Sequence, residues 1–158
     1  MMNKEFHTFR EYMKKDEDLL TASMEDYLEM IYRLSRDTGF TRINDLSAAL
    51  NVQPPSATRM VQKLAEIGTL DYEKYGVIAL SKKGKNLGRS LLERHQTIED
   101  FLKMLGITED ILVETEKIEH TISTQTLKCL ADFVEFFKHR PEVLSEFELF
   151  RKTKGKTG

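Results

Sequence analysis

Two groups of side chains in this sequence have the types and spacing of metal or acid/base chemistry. Asp26 and Glu29 are three residues apart, and Glu116, Glu119 and His120 stand at i, i+3 and i+4. On a helix these spacings bring side chains onto one face. The first pair then offers two carboxylates together, and the second group two carboxylates and an imidazole. His95 adds a nitrogen inside a long helical pattern. Such donors hold divalent metals, and when they bridge two metals they also serve hydrolases and oxidases. Taken one at a time, each pattern is more often a solvated helix face, and a lone His95 more often a hydrogen-bonded or surface histidine.

The elements that must position these residues read as follows. Ser23 with Asp26 three residues later resembles a capping box ahead of Met24, Tyr27, Leu28 and Ile31, so an amphipathic helix is expected from Ser23 to about Thr38-Gly39. A short helix follows over 43–52, apolar at Ile43, Leu46, Ala49 and Leu50. After Gln53-Pro54-Pro55 a second helix is expected from about Ser56 to Ile67, with Ala57, Met60, Val61, Leu64 and Ile67 inward. Two short helices joined by a few residues, the second entered through proline, predict a helix-turn-helix. The β-prone runs 69–73 and 77–80 around Lys74-Tyr75-Gly76 predict a hairpin. That order is the order of a winged helix. A long helix over about 82–105 leads into helices at 109–123, 125–139 and beyond Pro141. The 125–139 segment is apolar nearly all round, at Leu127, Leu130, Phe133, Val134, Phe136 and Phe137 among others, and must be covered on more than one side. In a chain this small the expected cover is a second copy.

The helix after Pro55 presents Ser56, Thr58, Arg59, Gln62 and Lys63, short polar and basic groups suited to base edges and phosphates in a major groove. Lys74, Lys82, Lys83 and Lys85 cluster around the expected wing. Pattern alone leaves open an ordinary small helical core with a charged face.

At 158 residues the chain holds one domain or two small ones. Its one cysteine, Cys129, excludes an internal disulfide framework and any CxxC motif, which suggests a reducing compartment. No apolar run approaches a bilayer span, and the charged N-terminus does not read as a signal peptide, so a cytoplasmic protein is expected. The net charge of −2 argues weakly against nucleic acid as a partner, but it is unevenly spread. Residues 56–94 carry +4, residues 96–150 carry −7 and residues 151–158 carry +4. The expected divisions are an N-terminal extension over 1–22, a winged-helix domain over 23–92, a helical domain over 93–150 and a basic tail over 151–158.

Ser23-Met24-Glu25-Asp26-Tyr27-Leu28-Glu29, together with Met60-Val61-Gln62-Lys63-Leu64, Tyr72-Glu73-Lys74-Tyr75, Arg94-His95 and Ile118-Glu119-His120, resembles the diphtheria toxin repressor family over roughly residues 23–140. The match is strongest to its manganese transport regulator branch. This resemblance implies a mainly α protein, a winged helix-turn-helix domain with a small β-hairpin wing followed by an all-helical dimerisation domain. It implies a homodimeric repressor, not an enzyme, that binds double-stranded operator DNA when loaded with divalent metal, with no membrane and no small organic substrate as partner.

By position, the family's metal ligands fall on Asp26, Glu29, His95, Glu116, Glu119 and His120. The DNA-contacting residues expected from the pattern of the second helix and wing are Ser56, Thr58, Arg59, Gln62, Lys63 and Lys74. In the iron-responsive branch the positions of Asp26 and Glu116 hold methionine and cysteine, and the chain stops where those relatives continue into an SH3-like domain. Oxygen donors with a minority of imidazole suit Mn2+, up to two per subunit, with Fe2+, Co2+, Cd2+ or Zn2+ as substitutes. Two departures stand out, the 22-residue arm and Lys117 between two ligand positions. A metal-independent winged-helix regulator and a dimetal enzyme are the competing readings.

Overall fold

The computed structural model describes residues 20–73 and 75–155. Most of the N-terminal extension, Lys74 and the last three residues of the basic tail lie outside the described residues. The chain forms two compact units that divide between Leu92 and Glu93.

The first unit opens with α1 (Ala22–Ser35). Its cap is Thr21 rather than Ser23. The Thr21 hydroxyl accepts from the Met24 amide at 3.2 Å, and Ser23 lies inside the first turn. Both residues have capping chemistry, and Thr21 is the one with extended backbone angles (φ −79°, ψ 164°) that leave its side chain facing the open amides. Met24, Tyr27, Leu28 and Ile31 form the buried face, at the expected helical spacing.

Two residues, β1 (Thr41–Arg42), precede α2 (Ile43–Leu50), which Asn51 ends in the left-handed conformation at φ 54°. Ala49 of α2 is exposed, so its inward face is narrower than its composition suggests. Helix α3 (Pro54–Glu66) begins on the two prolines themselves, rather than at Ser56. The first amides of a helix have no intrahelical partner, so a proline there loses no hydrogen bond and its fixed φ suits the first turn. Ala57, Val61 and Leu64 are fully buried on one side of α3.

Strands β2 (Leu70–Tyr72) and β3 (Val77–Leu80) form the expected hairpin, in antiparallel register Leu70↔Leu80 and Tyr72↔Ile78. The sheet has a third strand not expected from sequence. Strand β1 pairs with the other edge of β3, Thr41↔Ile78 and Arg42↔Val77, giving the order β1-β3-β2.

Helix α4 (Lys82–Met104) begins against this sheet. Ser81 caps it by accepting from the Gly84 amide at 3.1 Å and donates to the Gly68 carbonyl at 2.7 Å. A Cβ at Gly84 would lie 1.8 Å from the Thr69 carbonyl oxygen, so only glycine permits this approach. Leu28, Ile31, Leu46, Val61, Leu64, Ile78, Leu87 and Leu91 make one core. Each such side chain contributes about 1.5–3 kcal/mol of hydrophobic stabilisation.

The second unit contains the remainder of α4 with α5 (Ile111–Glu119), α6 (Thr124–His139) and α7 (Pro141–Lys154). Helix α5 is shorter than the expected 109–123. Asp110 ahead of it has φ 52°, and Ser123 is spent on capping α6, accepting from the Thr126 amide at 3.1 Å. Ile98, Leu102 and Leu127 form the core of this unit, with Phe101, Ile118 and Leu130 against it. On α6 only Leu127 and Val134 are buried, while Phe133 and Phe136 are 47% and 51% exposed. Among the described residues no helix is long and apolar enough to cross a membrane.

Candidate metal centre and nucleic-acid interface

Helix α5 supplies three of the candidate donors. Glu116 and Glu119 lie in its last turn, and His120 ends it with backbone angles still in the helical region. The spacing read from sequence therefore holds although the helix is short. An oxygen from Glu116, an oxygen from Glu119 and a ring nitrogen of His120 lie within 4.8 Å of one another. His120 Nε2 is 3.5 Å from both Glu116 Oε2 and Glu119 Oε1. The second oxygen of Glu119, Oε2, is 3.0 Å from Nδ1 of His95 on α4. Glu119 thus divides its two oxygens between two imidazoles.

Glu119 and His95 are both buried. Burial alone would push the Glu119 carboxyl up, but the hydrogen bond and charge of His95, with the charges of Arg94 and His120, together hold it below its ordinary value. The carboxylate is the form this pocket stabilises.

The other ring nitrogen of His95, Nε2, is 3.3 Å from Glu99 Oε2, and Glu99 Oε1 is 2.8 Å from Lys103 Nζ. Glu99 is absent from the set read from sequence, although its spacing of four from His95 is the same signal that marks Glu116 and His120. Lys117, the departure between two ligand positions, carries its ammonium to Glu114 at 2.9 Å on the exposed side of α5.

Asp26 and Glu29 stand on α1 of the first unit, both half-buried, with Glu29 Oε2 3.1 Å from Arg33 Nη2. All six candidates are oxygen or imidazole donors. Cys129, the one thiol of the chain, is exposed on α6. A set without thiolate or thioether fits a hard or borderline divalent cation.

The candidate DNA face lies on α3, opposite its buried side. Arg59, Gln62 and Lys63 are exposed. Ser56 and Thr58 are half-buried and locally engaged, Ser56 by Arg59 Nη2 at 3.4 Å and Thr58 by donating to the Pro54 carbonyl at 3.0 Å. Near the wing, Lys82 and Lys85 are exposed, but Lys83 donates to the Ile67 carbonyl at 3.3 Å. Lys83 therefore braces the C-terminal end of α3, a use its place in a lysine cluster does not suggest.

Comparison with known proteins agrees with this division of chemistry. Residues 19–78 match the family model for the iron dependent repressor N-terminal DNA binding domain, and residues 81–148 match that for the iron dependent repressor metal binding and dimerisation domain. The chain is 42% identical over 129 residues to the HTH-type transcriptional regulator MntR of Lysinibacillus sphaericus (strain C3-41), covering 81% of this chain and 93% of that protein. It is 34% identical to the solved manganese regulator SloR, with a TM-score of 0.63 over 72% of this chain and 54% of that one. ScaR, solved with bound Zn2+, is 32% identical at a TM-score of 0.60, again over 72% and 54%. The chain spans about half the length of these two solved structures. Since both halves match in order over most of its length, the chain belongs to the iron-dependent repressor family, whose members are DNA-binding transcriptional regulators and not enzymes.

Proposed function

We propose that this protein is a homodimeric repressor of manganese-homeostasis genes, bound to operator DNA through α3 when loaded with Mn2+. The observation that carries the metal reading is the placement of Glu119, whose buried carboxylate turns one oxygen to the His120 and Glu116 side and the other to the His95 side. A carboxylate so shared suits two adjacent cation positions, and the proposal is two Mn2+ per subunit, with Fe2+, Co2+, Cd2+ or Zn2+ as substitutes. Glu116, Glu119, His120 and His95 are the ligands assigned from the second unit, and Asp26 and Glu29 those assigned from the first. The names of the relatives, manganese regulators among them, support the same cation.

A divalent cation, when bound, supplies positive charge to side chains that otherwise repel one another. Glu116 with Glu119, and Asp26 with Glu29, each crowd two carboxylates onto one helix turn. Only a difference in metal affinity between two states of the protein can make DNA binding depend on metal. At 100 times the Kd, one site supplies about 2.7 kcal/mol. The two α3 helices of a dimer must then meet half-sites about 34–36 Å apart. Arg59, Gln62 and Lys63 read and anchor the DNA, with Ser56, Thr58 and Lys74 completing the assigned face.

The test is a DNA-binding titration with Mn2+, Fe2+, Co2+, Cd2+ and Zn2+, each with and without chelator. Tight binding in Mn2+ that chelator abolishes is expected, with His95→Ala and Glu116→Ala losing the metal response and Arg59→Ala and Lys63→Ala weakening binding at fixed salt. Binding indifferent to chelator would instead establish a metal-independent regulator.

A further inference from the structure

Helix α4 begins with charge of the wrong sign for a helix start. Lys82, Lys83 and Lys85 crowd its first turn, which holds no acidic residue, and positive charge there opposes the helix dipole. At the end of α3 the same charge has the favourable sign, because the last carbonyls of a helix lack partners and carry its negative end. Lys83 is placed there, donating from Nζ to the Ile67 carbonyl at 3.3 Å.

The next two carbonyls are held by Ser81, whose hydroxyl donates to Gly68 at 2.7 Å and whose amide donates to Thr69 at 3.0 Å. Residues 81–83 therefore hold three successive carbonyls where α3 ends. The two that Ser81 takes lie beyond the helix, and Lys83 is the one that reaches the C-cap residue Ile67 itself. At the other end of α3 the N-cap residue Gln53 makes no side-chain capping bond. Arg59, Gln62 and Lys63, exposed on α3, thus ride on a helix whose end is fixed from the start of α4.

We infer that Lys83 is a positioning residue for sequence reading: it fixes the end of α3, and so the angle at which Arg59, Gln62 and Lys63 meet base edges, without itself touching DNA. This rests on the reading of the protein as a DNA-binding repressor, and it adds a source of selectivity outside the contacting face. Hydrogen bonds to base edges weaken steeply with small errors of distance and angle. Attraction to phosphates is sequence-independent and lets a protein slide along DNA, so it survives the same errors. Loss of Lys83 therefore acts on selectivity rather than on non-specific affinity.

The probes are a duplex selected by the Mn2+-loaded wild-type chain from a randomised pool and a scrambled duplex of the same length and composition. Affinity for both is measured across a salt series with Mn2+-loaded wild type, Lys83→Met and Lys83→Arg, each checked for fold by circular dichroism. Methionine keeps the apolar stem and removes the donor, whereas arginine keeps a donor. Lys83→Met should lower the preference for the selected duplex at least about fivefold, the loss that one mismatched base pair causes. Its salt slope on the scrambled duplex should equal that of wild type, and Lys83→Arg should restore the preference. A wild-type preference in Lys83→Met overturns the inference, whether or not its urea midpoint falls, since Lys83 would then act on stability alone. An equal loss on both duplexes with a shallower salt slope also overturns it, because Lys83 would then be a phosphate contact. Wild type that selects no sequence in Mn2+ overturns the repressor reading as well.

Discussion

Glu119 is buried with one oxygen 3.0 Å from His95 Nδ1 and the other 3.5 Å from His120 Nε2, and this makes it sensitive in a way that solvated carboxylates on the same helix are not. Its folded-state pKa lies below the ordinary 4.5, so its ionised form stabilises the fold above that value, and the contribution disappears as pH falls through the depressed pKa. In chelated protein, the stability advantage of wild type over Glu119→Gln should be present above pH 4.5 and vanish in more acidic solution. Urea denaturation of both proteins across that range checks it, and an advantage that persists at the acid end would mean the carboxylate is not what the pocket stabilises. The same substitution should lower Mn2+ affinity by more than about tenfold, the loss seen even for groups one step removed from a metal. Much of this site is legible in sequence. The i, i+3, i+4 spacing of Glu116, Glu119 and His120 depends only on helical geometry and survives an error of several residues in the ends of the helix. The division of Glu119 between His95 and His120 is not legible, since it depends on how α4 packs against α5. Nor is the fate of Lys83 and Lys117, since long flexible side chains find partners that spacing does not name.

At the scale of elements, two glycines in α4 set how closely its first half lies on its neighbours. A Cβ at Gly88 would fall 2.6 Å from the Cβ of Tyr32 on α1, and that atom is fixed by the backbone of α1 rather than free to swing aside. Gly88→Ala must then move α1, the helix that carries Asp26 and Glu29, away from α4. A stability loss of about 1–3 kcal/mol is expected, read from the urea midpoint, because forcing a methyl into a filled core strains backbone as well as side chains. An unchanged midpoint would show that this helix pair is looser than the contact implies. The helices themselves follow from apolar periodicity, and each expected helix is present. Their ends are less legible. Thr21 and Ser23 have equal capping chemistry, and the prolines before Ser56 read as a break although they are the first turn of α3. Strand β1 escapes because two residues carry no period, and it exists only through its pairing with β3.

For the whole molecule, the apolar excess of α6 needs an explanation that one chain does not supply. Phe133 meets Phe101 edge-on at 5.9 Å and Phe137 at 4.8 Å, yet Phe133 and Phe136 remain about half exposed, and Phe150 and Leu149 on α7 more so. Large apolar side chains clustered at a surface mark an interaction site, and this unit matches a family model for metal binding and dimerisation. A homodimer formed through this face would cover such rings and give the DNA two copies of α3. Phe136→Glu is the direct test, because Phe136 is half exposed and stands outside the core cluster of its own unit, against Phe137 and the side chain of Arg140. Light scattering should report a monomer. Mn2+ binding within each chain should persist, while affinity for a duplex carrying two half-sites should fall by about 10²–10⁴, the gain that linking two binding modules supplies. Retained dimer mass with retained affinity would place the subunit interface elsewhere. Charge follows the same logic of joined parts. The chain carries −2 overall, and the two divalent ions proposed per subunit would bring it to about +2, the sign that favours approach to polyanionic DNA.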